Sequence, residues 1–354
     1  MRLHDFDYSL PPEFIAQRPI EPRDAARLLV LDRRQGLLAD HKVGDLPQLL
    51  EPGDLLVFND TRVLPARLWA CKRRTGGRVE ILLLRREAAQ CWEALVGGRG
   101  VRPGVELELE DKVDPARSAA VKPILAKVER DLGGSRRLLR FSEPITPELE
   151  RLGEMPLPPY IHERLAEPGR YQTVYAREPG SAAAPTAGLH FTPQLLQALE
   201  ARGVGLAYVT LHVGLDTFAP ITEAQVEDHA MHSEWMSLSR EVADRVNHAR
   251  AGGGRVIAVG TTSVRALESA ALHAAGVSEN GPLTPWEGPT RLYILPGHPF
   301  RVVQGMITNF HLPRSTLLVM VSAFAGRERI LNAYREAQSR GYRFYSFGDA
   351  MLIL

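Results

Sequence analysis

Two spacings of apolar residues divide the chain. Near the N-terminus the order is strand, turn, strand: Arg27-Leu-Leu-Val-Leu31, a polar turn through Arg33 and Gly36, then Leu37-Leu38. A Glu51-Pro-Gly-Asp54 turn then leads into Leu55-Leu-Val-Phe58, an apolar run of the buried-strand type. From about Val63 to Phe141 the segments become short and alternating: Ala66 to Ala70, Val79 to Leu84, Trp92 to Val96 and Val105 to Leu109. Thr75-Gly-Gly, Gly97-Gly98 and Pro103-Gly104 separate them, which predicts a small antiparallel barrel or sandwich.

Beyond Pro147 helix and strand alternate, the pattern of an α/β layer with a largely parallel sheet. Thr192-Pro193 opens a helix, with threonine as N-cap and proline at the first position. Val204 to Val213 reads as a strand and Ser239 to Ala251 as a polar helix stopped by Gly252-Gly-Gly254. Val256 to Val259 reads as a buried strand and Ser263 to Ala275 as a helix. Ser278 to Pro289 reads as a surface loop. Two helices, Ser315 to Ala325 and Glu328 to Ser339, precede closing strands at Arg343 to Ser346 and Met351 to Leu354. The fold class that follows is an α/β main domain built from both ends of the chain, residues 1–62 and 142–354, with an inserted small all-β barrel-like domain over 63–141.

Composition narrows the classes. A chain of 354 residues with 44% hydrophobic and 24% charged residues suits two soluble globular domains, or one large one. The longest apolar run, Leu317 to Ala325, falls far short of the roughly 20 residues a membrane helix needs. The N-terminus lacks the apolar core of a signal peptide, so a cytoplasmic protein is expected, away from membranes and acting as a monomer. Cys71 and Cys91 are the only cysteines, which excludes a cysteine-ligated iron–sulfur cluster and makes a disulfide framework unexpected. Net charge is +1, yet nine basic residues face three acidic ones between Arg67 and Arg102. Lys72, Arg73, Arg74, Arg78, Arg99 and Arg102 in that stretch are candidates for contacts to an RNA backbone; an ordinary solvated barrel face has the same charge pattern. The balancing acids follow at Glu106, Glu108, Glu110, Asp111 and Asp114.

Six segments carry candidate chemistry. In Val256-Ile-Ala-Val-Gly-Thr-Thr-Ser-Val-Arg265 a buried strand turns into a helix. The free N–H groups and hydroxyls of Gly260, Thr261, Thr262 and Ser263 make a cradle for an anion or ribose, and Arg265 is placed to clamp a carboxylate or phosphate. The same spacing also suits a helix capped by Thr262 or Ser263, with Arg265 paired to Glu268. His190, after the small-residue run Gly180 to Gly188, His212 and His311 converge only if their elements are neighbours in a sheet. His229-Ala-Met-His-Ser-Glu-Trp235 lacks metal-site spacing and suits general acid–base work by His232 and Glu234 beside a Trp235 wall. Asn59, Asp60 and Arg62 offer polar groups at a strand end; an Asx turn explains them equally well.

Taken in order, these blocks resemble the S-adenosylmethionine:tRNA ribosyltransferase-isomerase family of queuosine synthesis. The resemblance rests on Phe58-Asn-Asp-Thr-Arg62, Met155-Pro-Leu-Pro-Pro-Tyr-Ile161, Tyr171-Gln-Thr-Val-Tyr175, Ala184-Pro-Thr-Ala-Gly-Leu-His-Phe191, Met231-His-Ser-Glu234, Gly260-Thr-Thr-Ser-Val-Arg265 and Thr308-Asn-Phe-His-Leu-Pro313. The chain departs from the family pattern at Gly97-Gly98-Arg99, where more lysine is usual, and at Leu215-Asp216, in place of a small pair.

The resemblance implies that the ribosyl group of S-adenosylmethionine is transferred to, and isomerised on, 7-aminomethyl-7-deazaguanine at the tRNA wobble position. Epoxyqueuosine-tRNA, adenine and methionine are the implied products. S-adenosylmethionine is then a substrate, with no prosthetic group or metal expected, and tRNA the macromolecular partner. Implied roles are His232 or Glu234 as base, and His190, His212 and His311 as acid or orienting groups. Gly260 to Ser263 and Arg265 would hold the methionine or ribose end, near Asn309, with Trp235 and Phe310 as aromatic faces for the sulfonium. A metal hydrolase using the histidines, or a non-catalytic RNA-binding module, are the rival classes.

Overall fold

The computed structural model describes residues 1–111, 122–163, 165, 167–214, 220–276 and 281–354, and divides into two compact units. The expectations attached to Asp114, to Leu215-Asp216 and to residues 278–280 lie outside the described residues. One unit comprises Met1–Arg62, Pro158–Glu178 and Ala184–Leu354; the other comprises Val63–Leu157 and Pro179–Ala183.

The larger unit is built on a nine-stranded sheet. From edge to edge its strands are Trp286–Thr290, Glu234–Leu238, Gly205–Leu211, Leu55–Asn59, Val256–Val259, Gly305–Asn309, Ala350–Ile353, Arg27–Asp32 and Leu37–Lys42. Leu55–Asn59, Val256–Val259 and Gly305–Asn309 are buried at every position, which is why they read as unbroken apolar runs. Together with Gly205–Leu211 they form a parallel set of four. The outer pairings are antiparallel except Arg27–Asp32 with Ala350–Ile353, so the sheet is mixed rather than largely parallel.

Helix starts follow local chemistry. Thr192, Ser239 and Ser315 each accept a hydrogen bond from the backbone N–H three residues on, at 3.1, 3.3 and 3.2 Å, and open the helices Pro193–Ala201, Arg240–Ala251 and Thr316–Ala325. The helix Thr261–Ala275 differs: its N-cap is Gly260, at φ +89°, with no side-chain cap.

Two expected elements are corrected. Arg343 to Ser346 is not a strand; Tyr345 has φ +70°, which breaks any extended run there, and Asp349 accepts from the backbone N–H of both Arg27 and Arg343. The Gly/Pro-rich segment ending at Pro289 contributes an edge strand, because an edge position leaves proline's missing donor facing away from the ladder.

The smaller unit is a closed six-stranded antiparallel barrel: Arg136–Phe141, Cys91–Val96, Arg78–Ala88, Arg67–Lys72, Glu106–Leu109 and Leu125–Asp131, returning to the first. Its alternating inward residues, among them Leu68, Ile81, Ala94, Leu107, Val128 and Leu139, fill the interior. The unit runs past the expected limit of residue 141 because Ile145, Leu149 and Leu152 bury into the same core.

Asn59 ties two central strands of the sheet together at their ends. Its Nδ2 donates to the Leu211 carbonyl at 2.9 Å, and its Oδ1 accepts from the N–H groups of Leu211 and Thr61 at 3.0 and 3.1 Å. The side chain is fully buried and makes these three hydrogen bonds to backbone, so Asn59 has a structural role at the strand ends. Asn59→Ala leaves three buried backbone groups unpaired and is expected to cost roughly 2–4 kcal/mol, read as a lower denaturant midpoint. An unchanged midpoint would remove this role.

Candidate active site

The four parallel strands end together, and the segments that follow their carboxyl ends bring the candidate chemistry to one side of the sheet. A cleft there is lined by Val213, by Gly260, Thr261 and Thr262, and by Thr308 to Leu312. Ala184 to Ala187, Ser315, Tyr160, Tyr345 and Ser346 complete it, around about 640 Å³ of empty space that includes the open mouth. Tyr160 and Tyr345 have ring centroids 4.8 Å apart, and the Tyr160 hydroxyl lies 2.7 Å from Ser346 Oγ.

Next to Val213 lies a buried charge cluster. Glu234 is 4% exposed, and one carboxylate oxygen accepts from the Gly214 N–H at 2.8 Å and lies 3.0 Å from His232 Nε2. The other oxygen is ion-paired with Nη1 of Arg265, which is 2% exposed. Burial pushes the Glu234 carboxyl upward, but Arg265, His232 and the Gly214 N–H outweigh it and hold the group below the usual range. Glu234 is therefore an ionised anchor and a weak base. His232 Nε2 faces the Glu234 carboxylate, which orients the imidazole. Nε and Nη2 of Arg265 are buried without hydrogen-bond partners among the described residues.

Arg265 thus pairs across the fold with Glu234 rather than with Glu268 on its own helix. Glu268 is fully buried and accepts from the N–H groups of Arg301, Val302 and Val303 at 2.9, 3.0 and 2.9 Å. Neither Thr262 nor Ser263 caps the helix: Ser263 Oγ donates to the Val259 carbonyl at 2.8 Å, and Thr262 Oγ1 is buried with no partner.

The three histidines do not converge, because two strands separate the one preceding His212 from the one preceding His311. His212 Nδ1 lies 2.8 Å from Thr61 Oγ1, and its ring stacks on Trp235 at 5.1 Å and 18°. Trp235 itself is 39% exposed and points to the opposite face of its strand from Glu234. His190 and His311 are buried on the cleft side. Burial, reinforced for His190 by the Arg343 and Arg23 charges, drops their pKa to about 4 and about 3 respectively. Both are held neutral near pH 7, each with one ring N–H to donate and one ring nitrogen to accept. His311 Nε2 lies 2.7 Å from Thr308 Oγ1 and His190 Nε2 3.2 Å from Asn309 Nδ2.

Several other expected ligands are consumed internally. Asn309 also accepts from Thr186 Oγ1 at 3.0 Å and donates to the Tyr345 carbonyl at 3.2 Å. Phe310 lines the cleft, but its ring is fully buried and packs against Tyr334, Tyr342 and Phe344. Asp60 is 2% exposed and accepts from Arg177 Nη2 and Thr210 Oγ1, both at 2.7 Å, while Arg62 is exposed. Among the described residues no group of three His, Cys, Asp or Glu is placed to hold a metal ion, and no helix is long and apolar enough to cross a membrane.

A sequence model of the family described as queuosine biosynthesis protein matches residues 3–353. The chain belongs to the queuosine biosynthesis protein family. A relative from Moorella thermoacetica named S-adenosylmethionine:tRNA ribosyltransferase-isomerase is 54% identical over 358 residues, covering 100% of both chains. One of the same name from Thermus thermophilus is 53% identical over 354 residues, covering 99% of both. The crystal structure of S-adenosylmethionine tRNA ribosyltransferase from Thermotoga maritima matches with a TM-score of 0.55 and 36% identity, covering 99% of this chain and 100% of that one.

Within this queuosine biosynthesis family member, sequence reasoning passed over Tyr160, Thr186, Tyr345 and Ser346 as site residues. Tyr160 and Thr186 lie inside the Met155 to Ile161 and Ala184 to Phe191 blocks, which are recognisable as motifs but name no chemistry by residue type. The barrel also tempers the basic stretch. Arg73 pairs with Glu106 at 3.0 Å, and Arg78 makes a bidentate pair with Glu110 while lying over Trp69 at 4.2 Å. Lys72 Nζ donates to the Arg99 carbonyl. The side chains of Arg74, Arg99 and Arg102 are exposed and have no ion pair among the described residues.

The low pKa values of His190 and His311 set a pH dependence. Their folded values lie below the ordinary 6.5, so the stability they contribute is present above about pH 6.5 and is lost as pH falls toward 4 and 3. The thermal midpoint is expected to drop between about pH 7 and pH 4, and His311→Gln to flatten that drop. Equal slopes in the variant and the wild type would show that protonation of His311 contributes nothing.

Proposed function

We propose that the chain transfers and isomerises the ribosyl moiety of S-adenosylmethionine onto 7-aminomethyl-7-deazaguanine at the tRNA wobble position. Epoxyqueuosine-tRNA, adenine and methionine are the products. The observation that carries this reading is the full-length relationship, at 54% identity, to a relative bearing that enzyme name. The geometry agrees with it: the Met231 to Glu234 and Gly260 to Arg265 blocks meet in one buried ion pair beside the cleft.

In this reading the cleft takes S-adenosylmethionine, with Gly260, Thr261 and Thr262 against the ligand and Tyr160 and Tyr345 as its aromatic side. The sulfonium acidifies the adjacent C5′ protons, and His232 removes one. Glu234 holds the imidazole in the productive tautomer and stabilises the imidazolium that forms, while Arg265 holds Glu234. The amine of the modified base is the nucleophile, and adenine departs as the leaving group. His190 and Asn309 keep the Thr186 segment in place and take no proton. Of the six cations expected to meet RNA, Arg74, Arg99 and Arg102 are left for tRNA phosphates, with Arg73, Arg78 and Lys72 partly spent on internal partners.

The test is adenine release from S-adenosylmethionine in the presence of tRNA carrying the aminomethyl-deazaguanine base. No adenine with either tRNA or free base would sink the reading. His232→Gln is expected to lower kcat by roughly 10²–10⁴-fold with KM for S-adenosylmethionine little changed. A parallel rise in KM with unchanged kcat would place His232 in binding instead.

A further inference from the structure

The first turn of the Thr261–Ala275 helix opens into the cleft with its donors unspent. Gly260 supplies no side-chain cap, the first turn carries no acidic residue, and the N–H groups of Thr261, Thr262 and Ser263 have no acceptor within the helix. The N-terminus of a fifteen-residue helix carries about half a positive charge, which attracts an anion. A second, independent feature points the same way. Thr262 is 7% exposed and lines the cleft, yet its Oγ1 is buried with no hydrogen-bond partner among the described residues. An unpaired buried hydroxyl costs stability unless a ligand completes it. The lining residues include no carboxylate that does so, and Arg265, already committed to Glu234, does not line the cleft.

Resting on the reading that this cleft takes S-adenosylmethionine, we infer that the carboxylate of its methionine moiety docks on this helix start, with Thr262 Oγ1 and the first-turn N–H groups donating to it. The ligand carries a single anionic group, and its sulfonium is repelled by the same helix end. The helix therefore sets the direction in which the substrate lies, carboxylate inward against Thr262 and sulfonium displaced from it. A tRNA phosphate is the other anion in the reaction, but a phosphodiester is flanked by a sugar on either side, whereas the carboxylate is a chain end that can enter the cleft first.

The test compares S-adenosylmethionine with its decarboxylated analogue, with tRNA that has guanine at the wobble position present so that no turnover occurs. Wild-type protein is expected to prefer the carboxylate-bearing ligand by at least tenfold. Thr262→Val, nearly isosteric, is expected to shrink that preference about tenfold while leaving affinity for the analogue unchanged, and Thr262→Ser to restore it. Equal affinity of wild type for the two ligands overturns the inference whether or not the variants fold, and leaves the proposed reaction standing. A preference untouched by Thr262→Val overturns it as well, as does a variant that weakens tRNA binding instead. Failure of the wild type to bind either ligand removes both this inference and the reading on which it rests.

Discussion

The Glu234 carboxylate is the point from which the chemistry of the larger unit is organised. A carboxylate this deeply buried survives as an ion only if the desolvation cost is met by fixed partners, and here Arg265, His232 and the Gly214 N–H supply them. Those partners come from a helix, a loop before a strand, and the segment after another strand, so one charge pins three separate stretches of chain. Removing Arg265 alone would strand the charge, a loss of about 3–5 kcal/mol in comparable buried pairs. Replacing both members with apolar groups would be gentler on stability and would still cost His232 its orientation.

Around that pair, the polar residues at the strand ends divide by what they have left to offer. Asn59, Asp60, Ser263 and Asn309 are satisfied by backbone or by neighbouring side chains and hold the ends of the parallel strands in register. Glu268 does the same for the segment leading into the Gly305–Asn309 strand. Thr262 stands apart with an unspent hydroxyl. A parallel sheet concentrates loops beyond the carboxyl ends of its strands, and the buried amides there must be paired before any ligand arrives; an unpaired group that also lines the cleft, as Thr262 does, is one a ligand could complete.

The local signals were legible and the pairwise ones were not. Thr192, Ser239 and Ser315 announce their helices because an N-cap acts within three residues. The glycine-punctuated alternation that defines the barrel is likewise a property of neighbours in sequence. Glu234 and Arg265 were each marked by residue type, but their contact spans thirty-one residues, and helical spacing favoured Glu268 instead. Arg343 to Ser346 alternates like a strand, yet Tyr345 takes a left-handed conformation fixed by tertiary packing. The histidines failed for a related reason: their convergence required adjacency in the sheet, and strand order is not written in strand composition.

The barrel's acidic strand has a consequence for binding thermodynamics. Glu106–Leu109 lies antiparallel to Arg67–Lys72, with Cys71 opposite Glu108, so the acids that follow the basic stretch in sequence fold back beside it. Arginines neutralised in this way already lack an excess charge to exchange for the condensed counterions of a polynucleotide. Binding through this face alone would release on the order of four ions, one for each arginine of the stretch (Arg74, Arg86, Arg99 and Arg102) left exposed without an ion pair among the described residues, where a count of basic residues along the stretch suggests nine. Its affinity would then decline gently as salt rises, and discrimination among RNAs would rest on fit more than on long-range attraction.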